Sequence, residues 1–365
     1  MSTPLRAGLI GAGFIGAVHA HAIRSAGARL TRISDSTPQR ADEAARRLGA
    51  QAASESAEAL IADDEVDVVH ICTPNATHAL LAEQALAAGK SVVCEKPLAT
   101  SLEDADRLVA AAERAGVVTA VPFVYRYYPT VRETKSLIAD GQAGRLWLLH
   151  GSYLQDWLAG SSQTNWRVDP SKGGGSRAFG DIGVHWCDLM EFTTGHRITR
   201  LLARMSNAYS QRKTADGMQA VGTEDGATVM FETDQGATGS LVASQVSLGR
   251  KNKLWFSFDG TEASYVFDQE QPDSLWIGGL AENRVVPRGP GTLSTSQGRG
   301  YSYLPAGHPQ GYQDCFNAFV ADVYSAVAGE SPDGLPTFAD GRRSAMITEA
   351  VLDSAKNESW IEVPS

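Results

Sequence analysis

Cysteine is scarce in this chain, and the few cysteines that occur show no pairing pattern. The 365 residues include only four, namely Cys72, Cys94, Cys187 and Cys315, and no two of them form a C-x-x-C motif. Cys72 and Cys94 lie in apolar, strand-like runs, where a free cysteine behaves as a small buried hydrophobic residue. Scattered cysteines of this kind favour a reducing compartment, so we expect a cytoplasmic protein.

Positive charge and long apolar runs are also in short supply. The sequence has 32 lysines and arginines against 42 acidic residues, which gives a net charge of −10. Nucleic acids and anionic membrane surfaces attract basic faces, so neither is an expected partner. No apolar run approaches the roughly 20 residues that a membrane helix needs. The start of the chain also lacks the basic stretch and apolar core of a signal peptide.

Metal ligands do not occur at a usable spacing. His19 and His21 are two residues apart on a predicted helix and therefore face different directions. No other group of His, Cys, Asp or Glu has the spacing of a ligand set, so we predict that the protein binds no metal.

Strands and helices alternate along the first third of the chain. Strand-like apolar runs occupy residues 5–10, 30–34, 66–72, 91–94 and 117–122, with helical patterns between them. Two of these helices end at Gly89 and Gly116, and Ser101 with Asp104 is typical of a helix start. Such alternation predicts an α/β domain of the Rossmann type, with a parallel sheet and helices on both faces.

The pattern changes after Phe123. Consecutive strand candidates joined by short turns indicate a large, mostly antiparallel sheet with one open face. Helical segments are predicted at about 130–140, 181–194, 308–328 and 339–357, and a long loop rich in Gly, Ser and Pro at 283–307. We expect residues 123–365 to form a C-terminal α+β domain.

A glycine-rich turn joins the first strand to the first helix. Gly11, Gly13 and Gly16 form the pattern G-x-G-x-x-G, and Phe14 and Ile15 lie within it. Gly11 permits the tight turn, Gly13 leaves room for a phosphate beside the backbone, and Gly16 allows close packing of the helix. Backbone N–H groups and the helix dipole at such a turn favour negative charge. Because glycines also end strands for purely structural reasons, the context of the turn decides.

An acidic residue ends the second strand. Asp35 follows Gly16 by nineteen residues, close to the usual spacing for the acid that binds the adenosine ribose of a dinucleotide. A turn or helix-cap residue is the plainer interpretation of Asp35 alone. Strand, turn, helix, strand and acid in this order predict that residues 1–122 bind a dinucleotide. A carboxylate here repels the extra phosphate of NADP, so NAD is the expected cofactor; Arg40 is more simply a solvated charge.

Three motifs together resemble the GFO/IDH/MocA family, which is named for glucose–fructose oxidoreductase and inositol dehydrogenase. They are the glycine turn, Glu95-Lys96-Pro97, and the stretch from Gly173-Gly174-Gly175 to Asp181-Ile182-Gly183-Val184-His185. The resemblance extends over essentially the whole chain. It implies an NAD-dependent oxidoreductase whose catalytic group is Lys96, Asp181 and His185.

The chemistry of these side chains fits that implied role. Asp181 and His185 are four residues apart, so on a helix they share one face. Histidine, with an ordinary pKa of about 6.5, suits removal of a hydroxyl proton near neutral pH. The Lys96 ammonium can stabilise a developing alkoxide, and Asp181 can orient the substrate or the histidine. Each residue alone is more simply a core histidine or a solvated lysine, and only the combination favours catalysis.

The resemblance also implies which residues contact the cofactor. Family members line the cofactor with a T-P-N-x-x-H stretch, which here follows the third strong strand. Some relatives also contact the cofactor through the arginine of a Trp-Arg pair, which corresponds to Trp166-Arg167 here. A helix start is a second interpretation of the T-P-N-x-x-H stretch that can hold at the same time. The expected cofactor contacts are Gly11, Gly13, Phe14, Ile15, Gly16, Asp35, Thr73, Pro74, Asn75, His78, Glu95, Lys96, Trp166 and Arg167.

Aromatic and polar residues that suit a sugar follow the first domain. The stretches Tyr153-Leu154-Gln155-Asp156-Trp157 and Asn165-Trp166-Arg167 combine rings that stack on sugars with groups that bond hydroxyls. They resemble the sugar and cyclitol dehydrogenases of the family, including those for levoglucosan-type and inositol-type substrates. Packing at the domain junction is an alternative for Trp157 and Trp147. The expected substrate contacts are Lys96, Tyr125, Gln155, Trp166, Asp181 and His185.

We expect an NAD-dependent dehydrogenase that moves a hydride between nicotinamide and a ring carbinol of a sugar, anhydrosugar or cyclitol. Two alternatives stay open: an NAD-assisted glycoside-cleaving enzyme of the same fold, and a non-catalytic regulator that binds NAD and sugar. Intact Lys96, Asp181 and His185 count against the regulator. Because relatives pair their open sheet faces, a homodimer or homotetramer is expected. The apolar surface is assigned to Leu241, Val242, Val246, Leu254, Phe256 and Phe258.

Overall fold

The computed structural model describes residues 4–163, 165–214 and 217–364. The strands, in chain order, are β1 (Arg6–Ile10), β2 (Arg29–Ser34), β3 (Ala52–Ala53), β4 (Val68–Ile71), β5 (Ser91–Cys94), β6 (Thr119–Ala120), β7 (Leu146–Leu154), β8 (Ile198–Ser206), β9 (Gln211–Thr214), β10 (Gly217–Ala220), β11 (Gly226–Thr233), β12 (Thr238–Ser244), β13 (Lys253–Gly260), β14 (Ser264–Asp268), β15 (Ser274–Gly278), β16 (Asn283–Pro287) and β17 (Ile361–Glu362). The helices are α1 (Phe14–Ser25), α2 (Pro38–Leu48), α3 (Ala57–Ile61), α4 (His78–Ala87), α5 (Leu102–Ala115), α6 (Pro129–Ala139), α7 (Pro170–Gly173), α8 (Val184–Thr194), α9 (Ser296–Tyr301), α10 (Tyr312–Val327) and α11 (Phe338–Asn357). A π-helical turn at Phe179–Gly183 precedes α8, and 3₁₀ turns occur at Asn75–Thr77, Val124–Tyr127 and Trp166–Val168.

The chain divides into two compact units. The first comprises Met1–Val124 with Tyr312–Ala345, and the second comprises Tyr125–Gly311 with Met346–Ser365. Residues 312–345, which the sequence assigned to the second domain, thus return to the first unit. Helix α10 is hydrogen-bonded to α1 of the first unit: Gln313 donates to the Val18 carbonyl at 3.2 Å. The functional division into a dinucleotide domain and a substrate domain stays a prediction.

The first unit is built on a parallel sheet with the strand order β3-β2-β1-β4-β5-β6. Strands β4 and β5 are buried along their whole length, which is typical of a sheet covered on both faces. Ser101 caps α5 by accepting the Asp104 N–H at 3.1 Å, and Gly116 ends this helix with φ at 63°. The predicted Rossmann sheet and the predicted ends of α5 are confirmed.

The second unit contains a large mixed sheet with the order β16-β15-β14-β13-β7-β12-β11-β8-β17. The neighbouring strands pair antiparallel except β7 and β12, which run parallel. The predicted large, mostly antiparallel sheet is confirmed. Strands β9 and β10 form a separate hairpin ladder.

The residues predicted to form an exposed apolar surface do not all lie on the exposed face of this large sheet. Val242 is 42% exposed, whereas its neighbour Leu241 is 1% exposed. Because successive residues of a strand point to opposite faces, these two side chains lie on different sides of the sheet. Met230 on β11, at 53% exposure, is a further exposed apolar residue. The prediction of exposed apolar surface was wrong for the buried residues Leu241, Leu254, Phe256 and Phe258.

Residues 283–307 contain regular structure rather than one long loop. Strand β16 and helix α9 lie within this segment. Between them, Ser294 and Thr295 donate their backbone N–H and hydroxyl groups to the buried carboxylate of Glu133. This anchor has no local sequence signal, because Glu133 precedes Ser294 by 161 residues.

Candidate active site

The glycine turn lies between β1 and α1 in the first unit. Gly11 has φ at 92°, and a Cβ atom added there would lie 2.7 Å from the Cys72 carbonyl oxygen. A Cβ at Gly16 would lie 2.1 Å from the Gly11 carbonyl oxygen, so the helix packs directly on the turn. A Cβ at Gly13 would meet nothing within 4 Å. The space beside Gly13, at the N-terminus of α1, therefore fits a diphosphate group.

Asp35 is fixed at the end of β2 by several donors. Its carboxylate accepts the Ala12 N–H at 3.0 Å, the Ser36 N–H at 2.7 Å and the Arg40 Nε–H at 3.0 Å. Burial favours a raised pKa for Asp35, but the hydrogen bonds from Ser36 and Ala12 outweigh it and lower the pKa. Asp35 is therefore ionised at neutral pH. Arg40, expected to be a solvated charge, is 65% exposed and pairs with it.

The stretch from Thr73 to His78 follows β4 and leads into α4. His78 is buried, with Nδ1 2.7 Å from the Pro97 carbonyl oxygen and Nε2 2.8 Å from that of Thr73. Burial lowers the pKa of His78 although both carbonyls favour the protonated ring. Asn75 is also buried at the start of its 3₁₀ turn. His78 thus joins the Thr73 loop to the residue that follows Lys96.

Glu95 and Lys96 follow β5, and the Lys96–Pro97 peptide bond is cis. Glu95 is 6% exposed, and both of its oxygens are hydrogen-bonded within the first unit. Oε1 lies 3.2 Å from His19 Nε2, and Oε2 accepts the Lys96 N–H at 3.0 Å. The Glu95 carboxylate therefore has partners inside the unit, beside the half-buried Lys96.

In the second unit, Asp181 belongs to the π-helical turn and His185 to the first turn of α8. Gln245 donates from Nε2 to Asp181 Oδ2 at 2.7 Å, and Arg167 donates from Nε to Oδ1 at 3.3 Å. The Arg167 guanidinium also lies over the Trp166 ring, 4.3 Å from its centroid. Both oxygens of Asp181 are thus oriented by neighbouring side chains. π-helical turns are rare and occur frequently at functional sites.

Glu224 caps the helical segment that carries Asp181. Its Oε1 accepts the Ser176 hydroxyl at 2.7 Å, the Arg177 N–H at 3.0 Å and the Phe179 N–H at 2.9 Å. The first N–H groups of a helical segment have no intrahelical partner, so a carboxylate there both pairs and stabilises them.

Asp225, the next residue, forms a buried ion cluster with Arg177 and Arg212. All three side chains are at most 1% exposed, and Arg212 Nη2 lies 2.7 Å from Asp225 Oδ1. Burial favours a raised pKa for Asp225, but hydrogen bonds and charge from the two arginines outweigh it and lower the pKa. The cluster links three segments of the second unit. Arg177 follows Gly173-Gly174-Gly175, Arg212 lies in β9, and Asp225 immediately precedes β11.

A chain of hydrogen bonds connects the aromatic residues of the second unit. Trp157 Nε1 donates to Gln155 Oε1, and both Gln155 Nε2 and the Tyr153 hydroxyl donate to Asn252 Oδ1, each at 2.7 Å. The Tyr153 hydroxyl is also hydrogen-bonded to that of Tyr125. Because an indole N–H only donates, Trp157 sets the orientation of the Gln155 amide. Asn252 then has to present its oxygen.

This hydrogen-bonded chain ends beside the predicted base. The Tyr125 ring stands edge-on to the His185 ring with centroids 5.0 Å apart, and the Tyr153 ring lies 6.3 Å away. Tyr125 and Tyr153 are 3% and 2% exposed, and His185 is 7% exposed. Aromatic rings, amide groups and an imidazole therefore lie together, a combination that suits a small polar ring.

Comparison with known proteins covers both units. Residues 5–123 match the oxidoreductase family with an NAD-binding Rossmann fold, and residues 131–266 match the GFO/IDH/MocA C-terminal domain. The chain belongs to the GFO/IDH/MocA family. The predicted family, the oxidoreductase activity and NAD as the cofactor are confirmed.

Several individual proteins match almost the full chain. Levoglucosan dehydrogenase from Pseudarthrobacter phenanthrenivorans is 34% identical over 99% of this chain and 98% of its own length. The 1,5-anhydro-D-fructose reductase of Ensifer adhaerens is 29% identical over 98% of both proteins. A solved levoglucosan dehydrogenase in complex with NADH and levoglucosan has a TM-score of 0.93 at 33% identity, with 100% of both chains covered.

The residues expected at the GFO/IDH/MocA site fall into two groups. The first unit holds the glycine turn, Asp35, the stretch from Thr73 to His78, Glu95 and Lys96. The second unit holds Tyr125, Gln155, Trp166, Arg167, Asp181 and His185. Gln245, Glu224 and Asn252 were not predicted from the sequence. Each of them acts through partners that are distant in sequence, so a single sequence carries no local signal for them.

Within residues 4–163, 165–214 and 217–364, no group of three or more His, Cys, Asp or Glu residues is arranged to hold a metal ion. In the same part of the chain, no helix has the length and apolar character needed to span a membrane. None of the four cysteines forms a disulfide, and all four are buried.

Proposed function

We propose that this protein oxidises a ring carbinol of an anhydrosugar, with sugars and cyclitols as the wider substrate class. The hydrogen-bonded chain from Trp157 to Tyr125, beside His185, carries the proposal, because its rings and amides suit a hydroxylated ring. The full-length similarity to relatives named for levoglucosan and 1,5-anhydro-D-fructose supports the choice of an anhydrosugar.

Lys96, Asp181 and His185 form the proposed catalytic group. NAD, when bound, supplies the hydride acceptor. His185 removes the hydroxyl proton of the substrate, and Lys96 donates to the hydroxyl oxygen and stabilises the alkoxide charge. Asp181, oriented by Gln245 and Arg167, aligns this group and offsets its positive charge.

The first unit provides the proposed cofactor contacts. The open space beside Gly13 suits the diphosphate, and ionised Asp35 suits the two hydroxyls of the adenosine ribose. The stretch from Thr73 to His78 lies at the carboxyl end of β4, where open parallel sheets bind ligands. We assign it, together with Lys96, to the nicotinamide side of the cofactor.

We also propose a homodimer or homotetramer located in the cytoplasm. Exposed apolar residues on the open sheet face, Met230 and Val242, support self-association. Buried cysteines that form no disulfide support a reducing compartment.

The decisive experiment is a panel of anhydrosugars, aldoses and cyclitols assayed with NAD and with NADP by the absorbance of reduced nicotinamide. We expect NADH formation with at least one anhydrosugar, and its loss in Lys96→Ala. Release of free sugar from glycosides without net NADH would establish the glycoside-cleaving alternative instead. Binding of NAD and sugar without any turnover would establish a regulator.

A further inference from the structure

A fully buried chain of hydrogen bonds runs through the first unit from α10 to Lys96. The Tyr324 hydroxyl lies 2.9 Å from His70 Nε2, and His70 Nδ1 lies 3.0 Å from His19 Nδ1. His19 Nε2 lies 3.2 Å from Glu95 Oε1, and Glu95 Oε2 accepts the Lys96 N–H at 3.0 Å. Both histidines are 0% exposed, and Tyr324 and Glu95 are 5% and 6% exposed.

Donor and acceptor chemistry gives this chain one direction. A Glu95 carboxylate only accepts, so His19 donates to it through Nε2. In the His19 tautomer whose only ring proton is on Nε2, Nδ1 accepts from His70 Nδ1. The Nε2 of His70 then accepts from the Tyr324 hydroxyl. Burial lowers the pKa of His70 well below its ordinary value and raises the pKa of Tyr324, so the ring stays neutral and the hydroxyl keeps its proton. In this tautomer, each donor in the chain faces an acceptor.

The chain ends where the regular pairing of β5 also ends. The Glu95 N–H still pairs with the Ile71 carbonyl at 3.0 Å, as a strand residue does. The Lys96 N–H instead bonds to the Glu95 side chain, and Pro97 has no N–H to donate. The backbone at Lys96 is therefore fixed by a side chain, and His19 fixes that side chain in turn.

We propose that His19 is a positioning residue, which holds Lys96 in its catalytic position through the Glu95 carboxylate, with His70 and Tyr324 setting the tautomer of His19. The proposal rests on the proposed catalytic role of Lys96. None of the three supporting groups touches the substrate in this scheme. Their effect on turnover therefore passes entirely through Lys96.

Replacement of His19 tests this role. His19→Leu removes the donor to Glu95, and we expect turnover to fall ~10- to 100-fold, the scale of a small misplacement of a catalytic group. The dissociation constant of NAD and the KM for the sugar should stay nearly unchanged. His19→Gln, whose amide N–H can occupy the place of Nε2, should recover most of the lost turnover. His21→Leu, on the exposed side of the same helix, is the matched control and should behave as wild type.

A double-mutant comparison separates positioning from a general loss of structure. In the Lys96→Ala background, His19→Leu should cause no further loss of turnover, because the residue through which it acts is absent. Losses that multiply in this background, or a failure of His19→Gln to recover activity, overturn the proposal. If Lys96→Ala alone keeps normal turnover, the proposed function itself fails, whatever His19 does.

Tyr324→Phe provides a second variant in case His19→Leu does not fold, as judged by circular dichroism. Loss of this single hydroxyl leaves the ring volume intact and frees His70 to change tautomer. We expect a smaller drop in turnover that also disappears in the Lys96→Ala background. Wild-type turnover of folded Tyr324→Phe would show that the tautomer chain does not support Lys96 and would overturn that part of the proposal.

Discussion

At Asp181, both carboxylate oxygens already accept hydrogen bonds from side chains of the second unit. Gln245 bonds to one oxygen and Arg167 to the other. A carboxylate held in this way is suited to orienting neighbours and supplying negative charge rather than to accepting a proton. This arrangement of Asp181 supports the proposed division of roles, in which His185 is the base.

Gln245→Glu replaces the side-chain amide nitrogen by an oxygen at nearly constant volume, and it tests the orientation of Asp181. Two carboxylates at this distance disfavour each other's ionisation, so the geometry around Asp181 should be lost. We expect turnover to fall ~10- to 100-fold with little change in NAD affinity. Gln235→Glu, at an exposed turn, is the control, and equal effects of the two changes would contradict the assigned role.

His185→Ala and Lys96→Ala test the proposed base and cation. Each should lower turnover severely, by ~10²–10⁴-fold for His185→Ala, while NAD binds nearly as well as to wild type. The double mutant should lose less than the product of the single effects, since both groups serve one transition state. Near-normal turnover of His185→Ala across the pH range would show that the base is wrong and would direct attention to Tyr125.

Asp35→Ser tests cofactor choice. The pKa of Asp35 is lowered, so its charge persists well below neutral pH and disappears only as the pH falls through that lowered value. The substitution should weaken NAD binding and narrow the gap between NAD and NADP, as measured by dissociation constants. Arg40→Ala changes the other side of the ion pair and should leave NAD binding close to wild type. Higher efficiency of the wild-type enzyme with NADP would refute the assignment.

The residues that the sequence revealed are those whose signal is local. The glycine turn and Asp35 follow a fixed spacing along one strand–helix–strand unit, so the pattern alone locates them. The spacing of His19 and His21 argues only against metal binding, whereas the structure shows His19 bonded to Glu95. Its partner lies 76 residues away, and nothing in the spacing of either residue reports that contact.

At the scale of elements, the π-helical turn depends on the buried residues Glu224 and Asp225. Asp225→Asn leaves Arg177 and Arg212 without a neutralising charge in the interior. Removal of one partner from a buried pair typically costs about 3–5 kcal/mol, so we expect a loss of stability on this scale in denaturant unfolding. Asp353→Asn, at an exposed position of α11, should change stability by about 0.5 kcal/mol or less.

The same aspartate predicts how stability varies with pH. Because the folded-state pKa of Asp225 is lowered, its ionised form stabilises the protein at every pH above the ordinary aspartate value of about 3.9. That contribution is lost as the pH falls through the lower folded-state value. Part of the acid-induced loss of stability should therefore be missing in Asp225→Asn, and identical acid profiles would contradict this account.

Element ends were predictable where a cap lies within a few residues, as for α5 between Ser101 and Gly116. The structure of residues 283–307 was not predictable from the sequence, because this segment is anchored by the distant carboxylate of Glu133. The prediction of an apolar surface on the large sheet was wrong for a different reason. Leu241 and Val242 were assigned to one face although adjacent strand residues alternate between faces.

For the whole molecule, the open sheet face predicts self-association. We expect Val242→Lys combined with Met230→Lys to lower the oligomeric mass measured by light scattering, since buried lysines oppose an apolar interface. Leu280→Lys, at another fully exposed apolar position, is the control and should leave the mass unchanged. A wild-type monomer at micromolar concentration would refute the predicted assembly.

The return of α10 to the first unit has a consequence for the order of events on the ribosome. His70 is synthesised 254 residues before Tyr324, the hydroxyl to which it bonds. Nearly all of the second unit is translated in that interval. Although domains generally fold in N-to-C order during synthesis, the unit encoded first here is completed only after most of the second unit has been synthesised. A nascent or truncated chain that stops before residue 312 contains the glycine turn and Asp35 but lacks α10. In such a chain His70 has no Tyr324 hydroxyl to bond to.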